Sequence, residues 1–449
     1  MALMSGIPHS YMTADLPGVG GHIKVELEDF VVEEVPLYTP SGEGEHTYVW
    51  LEKRDLSTPE VLDALGRRLR VPASRFGHAG LKDRKALTRQ WLSIEGVTPE
   101  AVQALEGTQF QILEAIRHTN KLRVGHLKGN RFEIRVRGIV PNATATIDAI
   151  LRLLLERGVP NYYGFQRFGN RGYAQLIGRD LLLGRHEDAV RRVLGFPGPT
   201  EGNPRVVHAR ECFSEGDLTG ALGSFPSSYR AERAMLQKLI RGPDQYERAL
   251  RSMPSASRRL YSSAFQSYLF NLTLAERLRL LDANPGRFVS GDLAFLHRNS
   301  AVFSVEEETA EVDARGATFE ISPSGPILGR KMAQPKLRAA EMEDAVLERE
   351  GVGLEDLAPG LRQTRMEGGR RPFRVPLEAL GWRVEGTDLY MRFFLPKGSY
   401  ATTLLREILK NDDPAVGFYE DGAAEKHDLW RPERGAAALN SILKEGGTP

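Results

Sequence analysis

Hydrophobic and polar positions alternate along several stretches of the chain, and this alternation predicts β-strands. It runs from His22 to Val35, from His46 to Lys53, and through the heptapeptide RFEIRVR from Arg131 to Arg137. In the heptapeptide the apolar side chains share one face and the charged side chains occupy the other. Near the C-terminal end, the string LYMRFFLPKGSYATTLLRE predicts a strand, a glycine turn and a helix, in that order.

Apolar residues recur at helical spacing between these strands and predict helices. Thr58-Pro59-Glu60 begins one helix with a hydroxyl cap, a proline at the first helical position and an acid in the first turn. Thr98-Pro99-Glu100 repeats this arrangement before a shorter helix. The other predicted helices run from about Thr146 to Arg157, from Ser257 to Leu281 and from Glu341 to Glu350. Strands and helices mix without the regular alternation of a doubly wound sheet, which favours an α+β fold built on a largely antiparallel sheet.

The length of 449 residues argues for two or three domains, because a single hydrophobic core rarely grows that large. A hydrophobic content of 41% and a charged content of 27% are typical of a packed globular protein and exclude a disordered or fibrous class. The sequence changes in character between Gly172 and Leu361, where several helices and a Gly/Pro-rich interval follow one another. We therefore expect this stretch to form a separate unit.

Charge and cysteine content narrow the function classes. The formal net charge of +1 gives no general attraction to nucleic acid, so an anionic partner must be met by local basic patches. The single cysteine, Cys212, excludes an internal disulfide and a zinc site built from thiolates, and the ten histidines show no paired-ligand spacing, so we expect no metal site. The N-terminus lacks a targeting pattern and no segment is long enough to span a bilayer, so we expect a cytoplasmic protein without membrane contact.

The most informative segment is GHAGLKDRKALTRQW, from Gly77 to Trp91, which sets Asp83 among four cations. These cations are Lys82, Arg84, Lys85 and Arg89. Opposite charges within a few ångströms favour the ionised form of a carboxylate, which suits a nucleophile or a general base, and the same cations can bind phosphate. We expect Asp83 to lie in a loop that leads into a strand. The alternative is a solvated turn whose charges pair locally.

Two further segments have the composition of RNA-binding surfaces. The loop from His118 to Arg131 is dense enough in cations to hold several phosphates, although a solvated loop fits it equally well. Its cations are Lys121, Arg123, Lys128 and Arg131. The segment NYYGFQRFGNRG interleaves aromatic residues with Arg167 and Arg171, which could stack on and pair with RNA or could join two domains. We expect structural roles for Tyr162 and Tyr163 and a mixed role for Arg167.

Five strings follow one another along the chain: AGLKDRKALTRQW, GNRFEI, NYYGFQRFG, SSAFQSYLFN and GSYATTLLRE. In this order and at this approximate spacing they resemble the TruD family of tRNA pseudouridine synthases, over a stretch from about Lys24 to Lys410. Two of the matching strings, KDRKALTRQ and NYYGFQRFG, are long and unusual in composition, so chance is a poor explanation. A lone GNRF would carry no weight.

The resemblance implies a pseudouridine synthase fold, an α+β architecture in which helices flank a largely antiparallel mixed sheet. It implies a catalytic domain formed by both ends of the chain, residues 1–171 and 362–449, with a mixed α/β domain, residues 172–361, inserted between them. It also implies the reaction, in which the glycosidic bond of a uridine, at position 13 of tRNA, is cleaved, the uracil rotates, and C5 joins C1′ in place of N1. From the same resemblance we expect tRNA as the partner and neither a cofactor, a metal nor a protein partner.

The resemblance also implies roles for individual residues. The catalytic aspartate of the family falls on Asp83, which either attacks the sugar or base or removes the ribose 2′ proton. Lys24 matches a basic position that we expect beside this carboxylate. The base-binding positions fall on Phe30, Asn130, Phe132 and Tyr400, the last at a place where many relatives carry phenylalanine. The expected contacts to the RNA backbone are Lys82, Arg84, Lys128, Arg131 and Arg167.

The residue pattern by itself leaves other interpretations open. Phe132 shares a strand face with Ile134 and Val136, and Phe30 adjoins two valines, so by pattern both phenylalanines are core residues. At the level of function, the same basic patches would suit an RNA-binding or RNA-chaperone protein without catalysis. A metal-dependent nuclease or phosphatase is a third interpretation, against which the missing ligand spacing argues.

Overall fold

The computed structural model describes residues 10–105, 107–169, 171–197, 201–242 and 244–411. Its strands are β1 (His22–Ile23), β2 (Phe30–Pro36), β3 (His46–Arg54), β4 (Phe76–His78), β5 (Leu87–Glu95), β6 (Phe110–His118), β7 (Leu127–Arg137), β8 (Val159–Pro160), β9 (Leu293–Leu296), β10 (Val302–Ser304), β11 (Ile321–Ile327), β12 (Gly369–Pro372), β13 (Arg374–Val375), β14 (Glu378–Glu385) and β15 (Asp388–Pro396). Its helices are α1 (Thr58–Leu69), α2 (Pro99–Gln103), α3 (Thr144–Arg157), α4 (Ala174–Leu182), α5 (His186–Leu194), α6 (Pro204–Ser214), α7 (Leu218–Ser224), α8 (Arg230–Arg241), α9 (Tyr246–Arg251), α10 (Ser255–Leu280), α11 (Ala310–Ala317), α12 (Leu337–Arg349), α13 (Leu354–Gln363) and α14 (Ala401–Leu409).

Nine strands form one mixed sheet in the order β14-β15-β7-β2-β5-β3-β6, with β1 beside β7 and β4 beside β5. β7 pairs antiparallel with β2 and β15, and β3 pairs antiparallel with β5 and β6. β2 and β5 are parallel, and the crossover that parallel neighbours require contains β3, α1 and β4. The sheet together with its helices confirms the predicted α+β class.

The chain divides into two compact units. One unit, Gly20–Pro141 with Ala379–Lys397, holds the nine-stranded sheet, and α1 packs its apolar stripe into the core on one face of β3 and β5. The other unit contains Asn142–Glu378, Gly398–Lys410 and a segment that ends at Val19. It holds the four-stranded sheet β10-β9-β11-β12, the pair β8-β13 and the helices α3 to α14. The predicted domain boundaries, at residues 171/172 and 361/362, stay a prediction.

Most predicted helices lie within a few residues of their expected bounds. The long helix predicted from Ser257 begins two residues earlier, and α3 ends, as expected, before Gly158, whose φ of 84° is unfavourable for other residues. The cap of α1 differs from the prediction. Ser57, and not Thr58, accepts the backbone N–H of Glu60, and Glu60 in turn accepts the backbone N–H of Ser57.

The continuous strand predicted from His22 to Val35 was wrong in its first half. The structure has the short strand β1, a single 3₁₀ turn at Leu27–Asp29, and then β2. The break begins at Lys24, whose backbone is left-handed with φ of 60°. The carboxylate of Asp29 fixes the turn, because it accepts the backbone N–H of Glu26 at 2.8 Å and pairs with Arg137 of β7 at 2.8 Å.

Candidate active site

Asp83 lies in the loop between β4 and β5, as the sequence predicted, and two buried side chains hold the backbone of this loop. Lys53, near the end of β3, donates from Nζ to the carbonyl oxygen of Asp83 at 2.7 Å and to that of Leu56 at 2.5 Å. Thr58, in the first turn of α1, accepts the backbone N–H of Lys82 at 3.0 Å. The loop backbone is therefore anchored at two adjacent residues, while 41% of the Asp83 side chain remains exposed.

Lys24 reaches the carboxylate of Asp83 from a segment 59 residues earlier in the chain. Its Nζ lies 3.0 Å from Oδ2 of Asp83, and the lysine side chain is only 8% exposed. The same Nζ lies 4.2 Å from the ring centre of Phe30, a distance typical of a cation–π contact. The left-handed backbone at Lys24 is uncommon for a residue with a side chain and persists where the surroundings determine it. Carboxylate, ammonium and aromatic ring thus form one contiguous cluster.

Lys82 turns away from the carboxylate of Asp83 into a buried polar cluster. Its Nζ lies 2.9 Å from Oε2 of Glu34 and donates to Oδ1 of Asn130 at 2.6 Å. The side chains of Lys82 and Glu34 are 5% and 1% exposed. Burial raises the pKa of Glu34 above its usual value, and the ammonium of Lys82 opposes this rise. The cluster places Asn130, a predicted base-binding residue, beside the Asp83 loop.

The arginines that neighbour Asp83 in the sequence pair with other acids. Arg84, whose side chain is 58% exposed, lies 3.4 Å from Oε1 of Glu60. Arg89 lies 2.9 Å from Oε2 of Glu52. These two cations therefore do not pair with the carboxylate of Asp83 as their spacing suggested, because other carboxylates bind them. Arg84 stays a predicted contact to the RNA backbone.

The strand register places five residues in one row on the face of the sheet that carries Lys53. Across β3, β5, β2, β7 and β15 they are Lys53, Thr88, Val32, Phe132 and Phe393. Phe132 stacks on Phe393 with ring centres 5.3 Å apart, and Phe30 meets Phe132 edge-on at 6.2 Å. Phe30 and Phe132 are buried, so both are core residues of the sheet. They also border the Asp83 cluster, because Lys24 lies over Phe30.

The opposite face of the same strands carries an alternating row of charges. Across β3, β5, β2 and β7 the row reads Glu52, Arg89, Glu33 and Arg131. Arg89 lies 3.5 Å from Glu33 as well as near Glu52, and Arg131 lies 2.5 Å from Glu33. Arg131, predicted to contact RNA, is therefore paired with a glutamate on the face of the sheet that is turned away from Lys53.

Tyr400 and Arg167 belong to the other compact unit, where both contact Tyr163. The rings of Tyr163 and Tyr400 are 6.2 Å apart between centres. The guanidinium of Arg371 lies 4.1 Å from the ring centre of Tyr163, and that of Arg167 lies 5.8 Å from it. Arg167 also donates to two serine hydroxyls of α10 at 2.9 and 3.1 Å. Tyr400 is half-buried immediately before α14.

The segment NYYGFQRFG is built into the structure through its first residues. Asn161 donates to the carbonyl of Pro372 at 2.9 Å. Tyr162 is buried and donates to the carbonyl of Ser10 at 3.2 Å, and burial raises the pKa of its hydroxyl well above the usual value. These contacts agree with the structural role expected for Tyr162.

The predicted basic loop after β6 is short, since β7 already begins at Leu127. Arg123 and Lys128 are exposed, and Lys121 donates to the carbonyl of Ser74. His118, predicted as part of this loop, is buried and stacks on Tyr38 with ring centres 5.3 Å apart. The loop therefore presents Arg123 and Lys128 to solvent.

The structure brings together part of the predicted site and adds residues to it. Side-chain contacts join Asp83, Lys24, Phe30 and Phe132 in one cluster. Lys82 and Asn130 form a second cluster, which the chain connects to the first at residues 82 and 83. Sequence reasoning missed the roles of Lys53, Thr58 and Glu34. One signal was present for Lys53, because a lysine at this position shares its strand face with the apolar Val49 and Leu51, where a charged residue is unexpected.

Two features are absent from the residues that the structure describes. Among their helices, none combines the length and apolar character needed to cross a membrane. Within the same ranges, no three histidine, cysteine, aspartate or glutamate side chains are grouped so that they could hold a metal ion.

Comparisons with known proteins match one family over nearly the whole chain. The profile of the family described as tRNA pseudouridine synthase D (TruD) matches residues 7–408. The protein named tRNA pseudouridine synthase D from Geobacter sulfurreducens is 46% identical over 402 residues, which cover 89% of this chain and 96% of the relative. Its namesake from Geotalea daltonii is 44% identical over 405 residues, covering 90% and 100%. A crystal structure from Methanosarcina mazei that carries the TruD name has a TM-score of 0.75 and 28% identity, covering 92% of this chain and 99% of that one.

The fold and these matches define the class of the protein as a pseudouridine synthase, an isomerase that modifies RNA. The similarity in sequence and the similarity in structure both extend across the two compact units. The chain belongs to the tRNA pseudouridine synthase D family, TruD. The family resemblance and the pseudouridine synthase fold predicted from the motifs are thereby confirmed.

Proposed function

We propose that this protein converts a uridine of tRNA, at position 13, into pseudouridine, and that Asp83 is its catalytic residue. The observation that supports Asp83 best is the contact of its accessible carboxylate with the nearly buried ammonium of Lys24, 3.0 Å away. The loop backbone beneath this carboxylate is anchored by Lys53 and Thr58. A reactive group held on a fixed backbone meets its substrate without a large entropy cost.

The reaction is an isomerisation and needs no second substrate. The bond between N1 and C1′ breaks, the uracil rotates, and a bond forms between C5 and C1′, while C5 loses a proton and N1 gains one. Asp83 acts either by attack on the sugar or base or by removal of the ribose 2′ proton. Both routes use the carboxylate of Asp83, which lies 3.0 Å from the ammonium of Lys24.

Chemistry on a base in structured RNA requires the nucleotide to leave its stack and enter a pocket. We propose that Asn130 binds the uracil by a hydrogen bond and that Phe30 and Phe132 form the apolar surface beneath the base. The Oδ1 of Asn130 accepts Lys82, which orients the amide and leaves Nδ2 as a donor for a uracil carbonyl. Tyr400 stays an expected contact to the base.

The expected contacts to the RNA backbone separate into two groups. Lys82 and Arg131 are each paired with a glutamate, so we assign them to positioning Asn130 and to the charge row of the sheet. Arg84, Lys128 and Arg167 remain the proposed phosphate contacts. Lys128 is exposed, and Arg84 stays 58% exposed although it pairs with Glu60. The described partners of Arg167 include serine hydroxyls that leave its charge uncompensated. The proposal needs no metal, cofactor or protein partner and expects the reaction to occur in the cytoplasm.

The decisive experiment compares Asp83→Asn with wild type on a transcribed tRNA under single-turnover conditions, with pseudouridine mapped by carbodiimide modification. We expect a loss of about a thousandfold or more in rate, because the variant keeps the size of the side chain and loses its charge. Binding of tRNA should persist. Asp63→Asn, which removes an exposed carboxylate from α1, is the matched control and should retain the rate.

Other outcomes would separate the rival functions. Wild-type protein that binds tRNA and forms no pseudouridine would support an RNA-binding or RNA-chaperone protein. Activity lost in EDTA and restored by a divalent cation would support metal-dependent chemistry. An Asp83→Asn protein that converts uridine at the wild-type rate would remove Asp83 from the mechanism.

A further inference from the structure

A cavity of about 310 Å³ opens within the compact unit that contains Asn142–Glu378. It lies where the ends of α4, α9 and α13 meet the beginnings of α5 and α10. Its volume falls at the lower end of the usual range for ligand sites, which are mostly lined by apolar side chains. Arginine is the most frequent residue type in the lining of this cavity, which favours an anion as its ligand.

The cavity has a strong excess of positive charge. Four arginines and one histidine line it, against the single carboxylate of Glu247. Arg251 is neutralised by this glutamate, since the two side chains lie 2.6 Å apart. Arg258, Arg259 and Arg365 remain. Throughout the described ranges, the guanidinium groups of these three residues have neither an ion-pair nor a hydrogen-bond partner.

The fold gives these three cations no compensation. Three guanidinium groups around one cavity repel one another. Arg258 and Arg259 also lie near the N-terminal end of α10, where the helix dipole makes cations unfavourable, and the first turn of α10 contains no acidic residue. Water screens part of this repulsion, and an anion in the cavity would remove the rest. Binding of an anion would thus relieve the repulsion among the three arginines that exists in the free protein.

We propose that this cavity binds a backbone phosphate of the tRNA substrate. The proposal rests on the proposed function, because tRNA is the polyanion that the enzyme must hold. Arginine suits this role, since its planar guanidinium donates two parallel hydrogen bonds to phosphate oxygens. Phosphate contacts of this kind fix the position of the nucleic acid without reading its sequence. The cavity therefore adds affinity and alignment, and the unit that carries Asp83 supplies the chemistry.

The test removes the three charges together in the variant Arg258→Gln, Arg259→Gln, Arg365→Gln. Affinity for tRNA is measured at several KCl concentrations between about 50 and about 200 mM, where the slope of log K against log salt counts phosphate contacts. We expect the slope to fall by about 1, because the cavity holds one phosphate and each neutralised phosphate contributes about 0.9. The ratio of wild-type to variant affinity should accordingly be roughly three- to fourfold larger at the low-salt end.

A matched control removes the same number of charges from exposed arginines that already pair with a carboxylate. The control variant is Arg152→Gln, Arg279→Gln, Arg287→Gln, whose ion pairs span 2.7, 2.6 and 3.2 Å. We expect its salt slope to stay close to that of wild type. In turnover assays the cavity variant should raise KM more than it lowers kcat, whereas a variant that is merely misfolded would lose active enzyme and lower kcat.

Several results would overturn the proposal. An unchanged salt slope in a folded cavity variant would do so, and so would an equal fall in the control variant. Inorganic phosphate that raises the melting temperature of wild type and not of the variant, while both bind tRNA equally, would assign the cavity to a free anion. If the triple variant does not fold, Arg259→Gln alone replaces it, with a slope change in the same direction but smaller than about 1. Failure of the proposed function would look different, because wild type would then form no pseudouridine at all.

Discussion

Replacing Lys53 by methionine would test whether a buried ammonium both limits the stability of the fold and positions Asp83. Lys53 is fully buried, and its Nζ donates to the carbonyl oxygens of Leu56 and Asp83. Burial lowers the pKa of Lys53 from 10.5 to about 8, although the charge of Asp83 opposes this. Methionine has a similar length and fills irregular space well, so the substitution removes the charge and the two donated hydrogen bonds with little loss of volume.

The size and sign of the effect follow from this pKa. The drop from 10.5 to about 8 means that the charged ammonium costs the folded state ~3 kcal/mol. Below pH 8 the folded and unfolded chains both carry the proton, and the cost is fully present. Between about 8 and 10.5 only the unfolded chain keeps the proton, so the free energy of unfolding rises with pH. A lysine stabilised by a carboxylate shows the opposite trend.

The assay is urea denaturation of wild type and Lys53→Met at pH values that span 8 to 10.5. Across this interval the free energy of unfolding of wild type should rise by ~3 kcal/mol relative to that of Lys53→Met. Lys238→Met, which removes an exposed lysine from α8, is the control and should give a constant difference. Parallel curves for wild type and Lys53→Met would refute the reasoning, because they would mean that Lys53 titrates alike in both states.

The same variant should lose activity at constant tRNA affinity. Without Lys53 the carbonyl oxygen of Asp83 loses its donor, and misplacement of a catalytic group by about 1 Å can cost about a hundredfold in rate. We expect kcat to fall by at least about tenfold in a folded protein. Wild-type kcat in Lys53→Met would show that Thr58 alone holds the loop.

Three further substitutions test the rest of the cluster. Lys24→Met removes the ammonium beside Asp83 and should lower kcat by about tenfold or more, measured under single turnover, with tRNA affinity kept. Thr58→Val keeps the shape and leaves the backbone N–H of Lys82 unsatisfied, which should cost about 1–3 kcal/mol in urea denaturation. Glu34→Gln leaves the ammonium of Lys82 buried without its carboxylate and should cost about 3–5 kcal/mol.

For each of these three predictions, one result would contradict the reasoning. Wild-type kcat in Lys24→Met would limit this residue to a structural role. Thr58→Ser keeps the hydroxyl and should restore most of the stability, so equal losses in the serine and valine variants would point to packing instead. For Glu34→Gln the control is Glu247→Gln, which breaks an exposed ion pair and should cost about 1 kcal/mol or less. Equal costs would show that burial of the Lys82 pair is unimportant.

The periodicity of apolar residues was sufficient to predict helices and strands that bury one face along their length. The helix predicted from Ser257 to Leu281 is α10, and the strand predicted from Arg131 to Arg137 is the second part of β7. The strand predicted from His22 failed where tertiary contacts determine the backbone. The left-handed turn at Lys24 and the buried pair of Asp29 with Arg137 join distant segments, and a local pattern contains no information about such contacts.

In the candidate site, too, local motifs were predictable and tertiary contacts were not. Motif and charge pointed to Asp83, whose catalytic role stays a prediction, and the family resemblance led us to expect Lys24 beside it, where the structure has it. The side chains that hold the loop could not be predicted, because their roles depend on strand register and on which residue caps α1. Lys53 stood out only as a charged residue on the apolar face of its strand, which does not show what it contacts. Thr58 was interpreted as the helix cap, but Ser57 takes that role and leaves the Thr58 hydroxyl for the Lys82 N–H.

The alternating charges on one face of the sheet have a consequence for how the other face is assembled. If β2 were displaced by one residue against its neighbours, Glu33 would turn to the buried side and Phe30 and Glu34 to the outer side. Arg89 and Arg131 would then lose their shared carboxylate at the same moment as Lys82 lost its own. A misaligned strand is thus penalised twice, so the charge row on one face and the Lys82–Glu34 pair on the other depend on the same strand register.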